Sequence, residues 1–383
     1  MAKLETICSI NMGQSPDSST YNENGNGLPF FQGNADFGEI YPTVRMWCSE
    51  PIKVAQKEDI LISVRAPIGA QNISNCECCI GRGLAALTVK KDICIQKYLW
   101  YALSSRVDEL NDKGTGSTFK AINKKTLAET EIPLPSLDEQ RKIVAVLDKV
   151  SDLIAKRHQQ LDKLDELVKS RFIEMFGNFM YDRNRWPICE VGDIADTIDP
   201  QPSHRTPSIV TGGIPYIGIS ECDYQTHHID FDKARKVGQN VLQEHIERYT
   251  LDDGDFIIGK IGTIGKPFFI PVKQNYTLSA NTVLIKPDKK RITPHFLFSI
   301  FQSEYMDRII EIERKSTSQP AFGIQKVRKI KIPLPPLDLQ EYFTAFVEQT
   351  EKSRLTIQQG YDKLDALKKS LIQEFFECDY KNY

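Results

Sequence analysis

No stretch of this 383-residue chain reaches the roughly eighteen consecutive apolar residues that a membrane-spanning helix needs. The opening MAKLETICSI also lacks the apolar core of a secretory leader, so a cytoplasmic protein is expected, with no membrane partner. Excess charge is missing too. The net charge is −2, which argues mildly against a non-specific nucleic-acid coat, since that would be strongly basic. Residues 1–130 carry 14 basic and 14 acidic side chains, and residues 181–330 carry 20 and 19. The catalytic signatures GxGxxG, HExxH and GxSxG do not occur. GKIGTIGK at 259–266 fails as a phosphate loop: Lys260 stands where the first Gly belongs, and Pro267 takes the magnesium-binding Ser/Thr position. Cysteine is plentiful, nine in all, but Cys76 and Cys79 form a C-x-x-C pair without the second pair that a zinc site requires. Reduced, buried thiols are the expectation. The six histidines offer one close pair, His227-His228, whose adjacent side chains point different ways. No catalytic residue, no metal and no cofactor is expected.

What the chain does have, it has twice. IPLPSLDEQ at 132–140 returns as IPLPPLDLQ at 332–340, and DKLDELVKSRFIEMF at 162–176 as DKLDALKKSLIQEFF at 362–376. Of the 47 positions from 131 to 177, 18 are identical at an offset of 200. The segments between repeat only in order. LPFFQG (28–33), DILISV (59–64) and GLAALTV (83–89) read as strands, followed by a helix over 97–111. IPYIGI (214–219), DFIIGK (255–260), NTVLIK (281–286) and a helix over 294–313 repeat that series. Variable globular parts thus alternate with stems of fixed length: a head at 1–130, a stem at 131–177, a head at 178–330 and a stem at 331–383.

The stems read as helices, each entered through two prolines that impose extended geometry, with Asp138 and Asp338 as N-caps. Ile143, Leu147, Val150, Ile154, Leu161, Leu164 and Val168 form an apolar seam, matched by Phe343, Val347, Ile357, Tyr361, Leu364 and Leu371. Arg157 interrupts the first where the second has Ile357, and Arg354 interrupts the second where the first has Ile154. Gly360 falls mid-helix. Each stem could pack on its own head alone, but the length and the preserved repeat favour pairing of the stems. The fold expected is α+β: two globular heads separated by two long helices that form an antiparallel coiled coil with pseudo-two-fold symmetry.

One loop type occurs per half, GTGSTFKAI at 114–122 and STSQPAFGI at 316–324. Small hydroxyl residues beside cations suit phosphate contacts, and they equally suit an ordinary polar turn. The candidates here are Lys113, Thr115, Ser117, Lys120 and Lys124, then Arg314, Lys315, Ser316 and Lys326. The turns after the matched strands add Arg65 and Arg82 in the first half, and Lys260, Lys266, Ser279 and Asn281 in the second. These side chains can address base edges in a major groove.

The doubled IPLPxLDxQ segment, the helix ending in DKLDxLxKS and the loop upstream resemble, over the whole chain, the specificity subunit of type I restriction-modification systems. The resemblance implies two target-recognition domains that each read part of a split site in double-stranded DNA. It implies stems that form an antiparallel coiled coil and dock two methyltransferase subunits, through which restriction subunits join. In that family, adenine methylation belongs to the partner, and this sequence has no Asn/Asp-Pro-Pro-Tyr/Phe motif. The second stem departs from the pattern at Leu339, which replaces the acidic residue found at Glu139. A reading from another class is a non-catalytic, two-headed scaffold that binds protein.

Overall fold

A computed structural model describes all residues except 117–119, 183–184, 204, 225, 274, 316–321 and 377–383. It divides into two compact units, Met1–Lys156 with Asp362–Tyr383, and Arg157–Tyr361.

In the first unit, strand runs with no polar interruption are buried on both faces. Ile60–Ser63 lies in a four-stranded antiparallel sheet ordered Cys8–Met12, Leu84–Val89, Ile60–Ser63, Gln71–Ile73. Alternate residues serve different cores. Ile60, Ile62, Ala85 and Leu87 face a helical core with Tyr98 and Leu99, whereas Leu61, Leu84 and Ala86 meet Phe31 and Ile80 of a smaller five-stranded sheet. In that second sheet Phe30–Phe31 run parallel to Cys79–Ile80.

The second unit repeats this plan. Ala195–Ile198, Thr282–Pro287, Phe256–Gly259 and Pro267–Phe269 form a sheet in the same order. Phe256, Ile258, Val283 and Ile285 face the helices, and Ile257 and Leu284 face the smaller sheet. There Tyr216–Ile217 run parallel to Thr277–Leu278. A two-stranded ladder closes each head, Ala2–Lys3 with Glu131–Ile132 and Ile188–Glu190 with Lys331–Pro333. The isoleucine that opens each repeat thus lies in a ladder strand of its head, with Ile132 and Ile332 fully buried.

The single helix expected over 97–111 is two in the structure, Gln96–Ser104 and Val107–Asp112, and that over 294–313 is Pro294–Phe301 and Glu304–Lys315. Ser105 and Ser303 stand at the breaks, each donating its hydroxyl to a carbonyl three residues back. Such bonds compete with the helix ladder.

The stem helices span Leu137–Phe176 and Leu337–Phe376, 40 residues each. Their N-termini correct the sequence reading. Ser136, not Asp138, caps the first: its hydroxyl accepts from Glu139 N–H, and the Glu139 carboxylate accepts from Ser136 N–H. In the second, Pro336 precedes the helix and Asp338 accepts from Leu339 N–H within the first turn. Both aspartates still favour the positive helix end.

Within each unit the beginning of one stem packs against the end of the other. In the first, Ile143 and Leu147 share a core with Leu371, Ile372 and Phe376. In the second, Phe343 and Val347 share one with Val168, Phe172 and Phe176. The stems therefore pair antiparallel and also complete the cores of the heads. All thirteen seam residues are buried or half-buried; Ile154, Leu164, Val168, Ile357, Tyr361, Leu364 and Leu371 are the half-buried ones.

The interrupting arginines find other partners than each other. Arg354, its side chain 6% exposed, forms an ion pair with Asp165 and lies 3.5 Å from Glu351. Arg157 hydrogen-bonds Gln160 and lies along Gly360. A methyl group at Gly360 would meet Arg157 Nε at 3.4 Å, an ordinary contact. Gly360→Ala is therefore expected to stabilise the helix by about 1 kcal/mol. Thermal unfolding should show a melting temperature higher by about 2–4 °C. A fall would mean that the seam does not tolerate the methyl.

Candidate nucleic-acid interface

In the first head the main chain brings several predicted residues together. Thr115 and Ala121 exchange both backbone hydrogen bonds, at 3.0 and 2.9 Å, so the two sides of the GTGSTFKAI loop are bridged at its base. Ala66 N–H donates to the Lys120 carbonyl, and Ile122 N–H to that of Val64, which fastens Lys120–Ile122 to the turn after Ile60–Ser63. Arg65, Thr115 and Lys120 therefore stand side by side, all exposed. Arg82 joins them, because Val64 N–H donates to the Gly83 carbonyl next door. Packing explains the glycines around it: a Cβ at Gly83 would lie 2.5 Å from the Gln32 carbonyl oxygen. Lys113 is held by an ion pair to Glu109, and Lys124 is exposed in the first turn of the short helix Lys124–Ala128.

The second head builds the same edge. Phe322 N–H donates to the Lys260 carbonyl and Lys260 N–H to that of Asn281, repeating the bonds of Val64. Asn281 is exposed and Ser279 half-exposed. Exposed Lys266 lies over the Tyr224 ring, and Tyr224 donates to its carbonyl. Arg314 is exposed near the end of its helix, while Lys326 pairs with Glu313. Ser117 and Ser316 lie outside the described residues, as does the side chain of Lys315.

Lys260 is placed differently from the rest. It is 6% exposed, its ammonium 2.8 Å from Asp199 and donating to the Ala280 carbonyl at 3.0 Å. An ammonium so enclosed does not reach a phosphate. Sequence reasoning also passed over Gln201, Ser203 and Arg205 beside it, the last two exposed. Gln201 accepts from His245 Nε2 at 2.7 Å, and His245 Nδ1 accepts from Tyr249 at 3.1 Å. Burial, reinforced by the Arg248 cation, pushes the His245 pKa down to about 4, so this imidazole is neutral. The available sequence clue was a lysine ending an apolar strand run, DFIIGK. Burial likewise pushes the thiols of Cys8, Cys78 and Cys94 up to about 12, which keeps them protonated.

Comparison with known proteins adds relatives to this geometry. A putative type I restriction enzyme MjaX specificity subunit of Methanocaldococcus jannaschii is 44% identical over 165 residues, covering 43% of this chain and 39% of that one. The matched stretch is thus about two-fifths of that relative's length. The type I restriction enzyme EcoBI specificity subunit of Escherichia coli is 19% identical, over 90% of this chain and 78% of its own. The crystal structure of a type I restriction-modification system S subunit from M. genitalium matches 98% of this chain and 95% of its own, with a TM-score of 0.53 and 15% identity, and so shares the fold. A family model, the type I restriction modification DNA specificity domain, matches residues 1–166 and again 184–369, one head with most of its stem each time. The chain belongs to that family.

Proposed function

We propose that this chain is the non-catalytic, DNA-reading subunit of a type I restriction-modification complex and works in the cytoplasm. Residues 1–130 read one half of a split double-stranded site, residues 178–330 read the other, and the stems at 131–177 and 331–383 set the gap. Two methyltransferase subunits dock on the chain, and restriction subunits join through them. The observation that carries this reading is the double family match on two heads of one topology. Each head offers an exposed edge of polar and cationic side chains. Arg65, Arg82, Thr115 and Lys120 are proposed as contacts in one, with Lys266, Ser279, Asn281 and Arg314 in the other. Near-balanced charge fits a reader whose phosphate contacts are shared with its partners. The same balance is what a protein-binding scaffold would show, and one experiment separates the two.

Exchange of residues 1–130 for the head of a relative should change one half-site only, read by sequencing the methylated positions. Removal of seven residues from each stem shortens each helix by about 10 Å, and the preferred gap should shrink by about three base pairs with both half-sites retained. A head exchange that alters both half-sites would end the modular reading. Wild-type complexes with no DNA preference would favour the scaffold.

A further inference from the structure

Resting on that DNA-reading proposal, we infer that Asp199 and Lys260 form a buried brace. It fixes Gln201, Ser203 and Arg205 together with Ser279–Asn281 as one preorganised reading edge of the second head.

Three backbone N–H groups pin the turn at Leu278–Ala280. Leu278 N–H donates to the Tyr249 hydroxyl, Ser279 N–H to the Ile217 carbonyl, and Ala280 N–H to the Tyr216 hydroxyl at 2.8 Å. The Ala280 carbonyl accepts from the Lys260 ammonium. On its other side, Lys260 meets the Asp199 carboxylate, whose second oxygen accepts from Gln201 N–H at 3.1 Å. The Gln201 amide donates to Ser203 and accepts from His245, and His245 returns to Tyr249. One continuous polar path therefore links two surface segments that are about eighty residues apart in sequence.

Stability alone does not account for such a pair, since buried ions lose hydration and apolar residues of similar volume often hold a fold as well. The first head supplies the internal control. Val64 stands at the Lys260 position, making the same two main-chain bonds, to Gly83 and from Ile122. Ile198 pairs with Leu284 as Asn11 pairs with Ala86, which places Met12 at the Asp199 position. The fold thus builds this corner from a methionine and a valine. The charged version in the second head adds fixed geometry beneath exposed Ser203, Arg205 and Asn281. Side chains held still before binding discriminate between base edges with less loss on ordering. Lys260 and Asp199 are accordingly positioning residues, not DNA contacts.

The test uses the full chain assembled with its methyltransferase partner on a random-sequence DNA library, methylated sites being read by sequencing. A wild-type complex without a split-site preference would count against the DNA-reading proposal itself. With that preference present, D199M/K260V imports the pair of the first head. It should lose about tenfold or more of its discrimination in the half-site assigned to residues 178–330, and none in the other. Asn281→Ala should relax one position of that same half-site. Unchanged discrimination in D199M/K260V overturns the inference, as does an equal loss in both half-sites, which marks general loosening. Should the double variant not fold, Tyr249→Phe removes one hydroxyl from the path and keeps the ring. It should relax the same half-site, and wild-type discrimination there overturns the inference equally.

Discussion

Replacement of Gln140 or Gln340 by alanine is expected to destabilise its unit by about 3 kcal/mol, well beyond an ordinary surface change. Both glutamines are fully buried. Gln140 Oε1 accepts from Ile95 N–H at 2.9 Å, and its amide donates to the carbonyls of Ile93 and Pro135 at 3.0 and 2.9 Å. Gln340 repeats this, accepting from Thr293 N–H and donating to the Pro335 carbonyl. Ile95 and Thr293 immediately precede the helices Gln96–Ser104 and Pro294–Phe301, so one side chain ties stem, proline segment and head helix together. Alanine leaves two or three buried backbone groups unpaired, at about 1–3 kcal/mol each, partly relieved by entering water. Chemical unfolding measures the loss. Gln140→Met fills the volume without the bonds, so a similar loss there assigns the effect to hydrogen bonding. Wild-type stability in either alanine variant would show that the tie is dispensable.

Those glutamines mark where sequence reading stops. Their recurrence in IPLPxLDxQ was plain, but their partners in the head, at Ile93, Ile95 and Thr293, are backbone atoms more than forty residues away, which no local pattern records. Elements with strong periodicity were legible: Ile60–Ser63, Leu84–Val89, Phe256–Gly259 and Thr282–Pro287 each carry an apolar run, and the stem seams, from Ile143 to Val168 and from Phe343 to Leu371, keep a helical spacing that an arginine interrupts in each. The two-residue strands Trp47–Cys48 and Val54–Ala55 were not, because a strand that short has no period and forms only through its neighbours. The breaks at Ser105 and Ser303 escaped notice because the apolar spacing runs through them. At the candidate site, Arg65, Arg82, Thr115 and Lys120 share an edge because matched strands end in matched turns. Lys260 was misplaced for the opposite reason. Its charge suggested solvent, and only the fold shows Asp199 enclosed beside it.

Acid should loosen the second unit through His245. The ring is 2% exposed, and the neutral imidazole satisfies both neighbours, with Nε2 donating to Gln201 and Nδ1 accepting from Tyr249. Its pKa is pushed from the usual 6.5 down to about 4, first by burial and then by Arg248. The unfolded chain therefore binds this proton more readily than the folded one. The stabilisation is complete above pH 6.5 and is lost as the pH falls toward 4, at about 1.4 kcal/mol per pH unit and about 3 kcal/mol in all. Urea unfolding of the full chain at pH 7.0, 6.0 and 5.0 should show that decline in the transition reporting on the second unit. His245→Gln keeps a polar side chain without a titrating ring, so it should start less stable at pH 7 and fall less steeply. Parallel pH profiles for variant and wild type would assign the acid sensitivity to carboxylates instead, and would free His245 of any part in it.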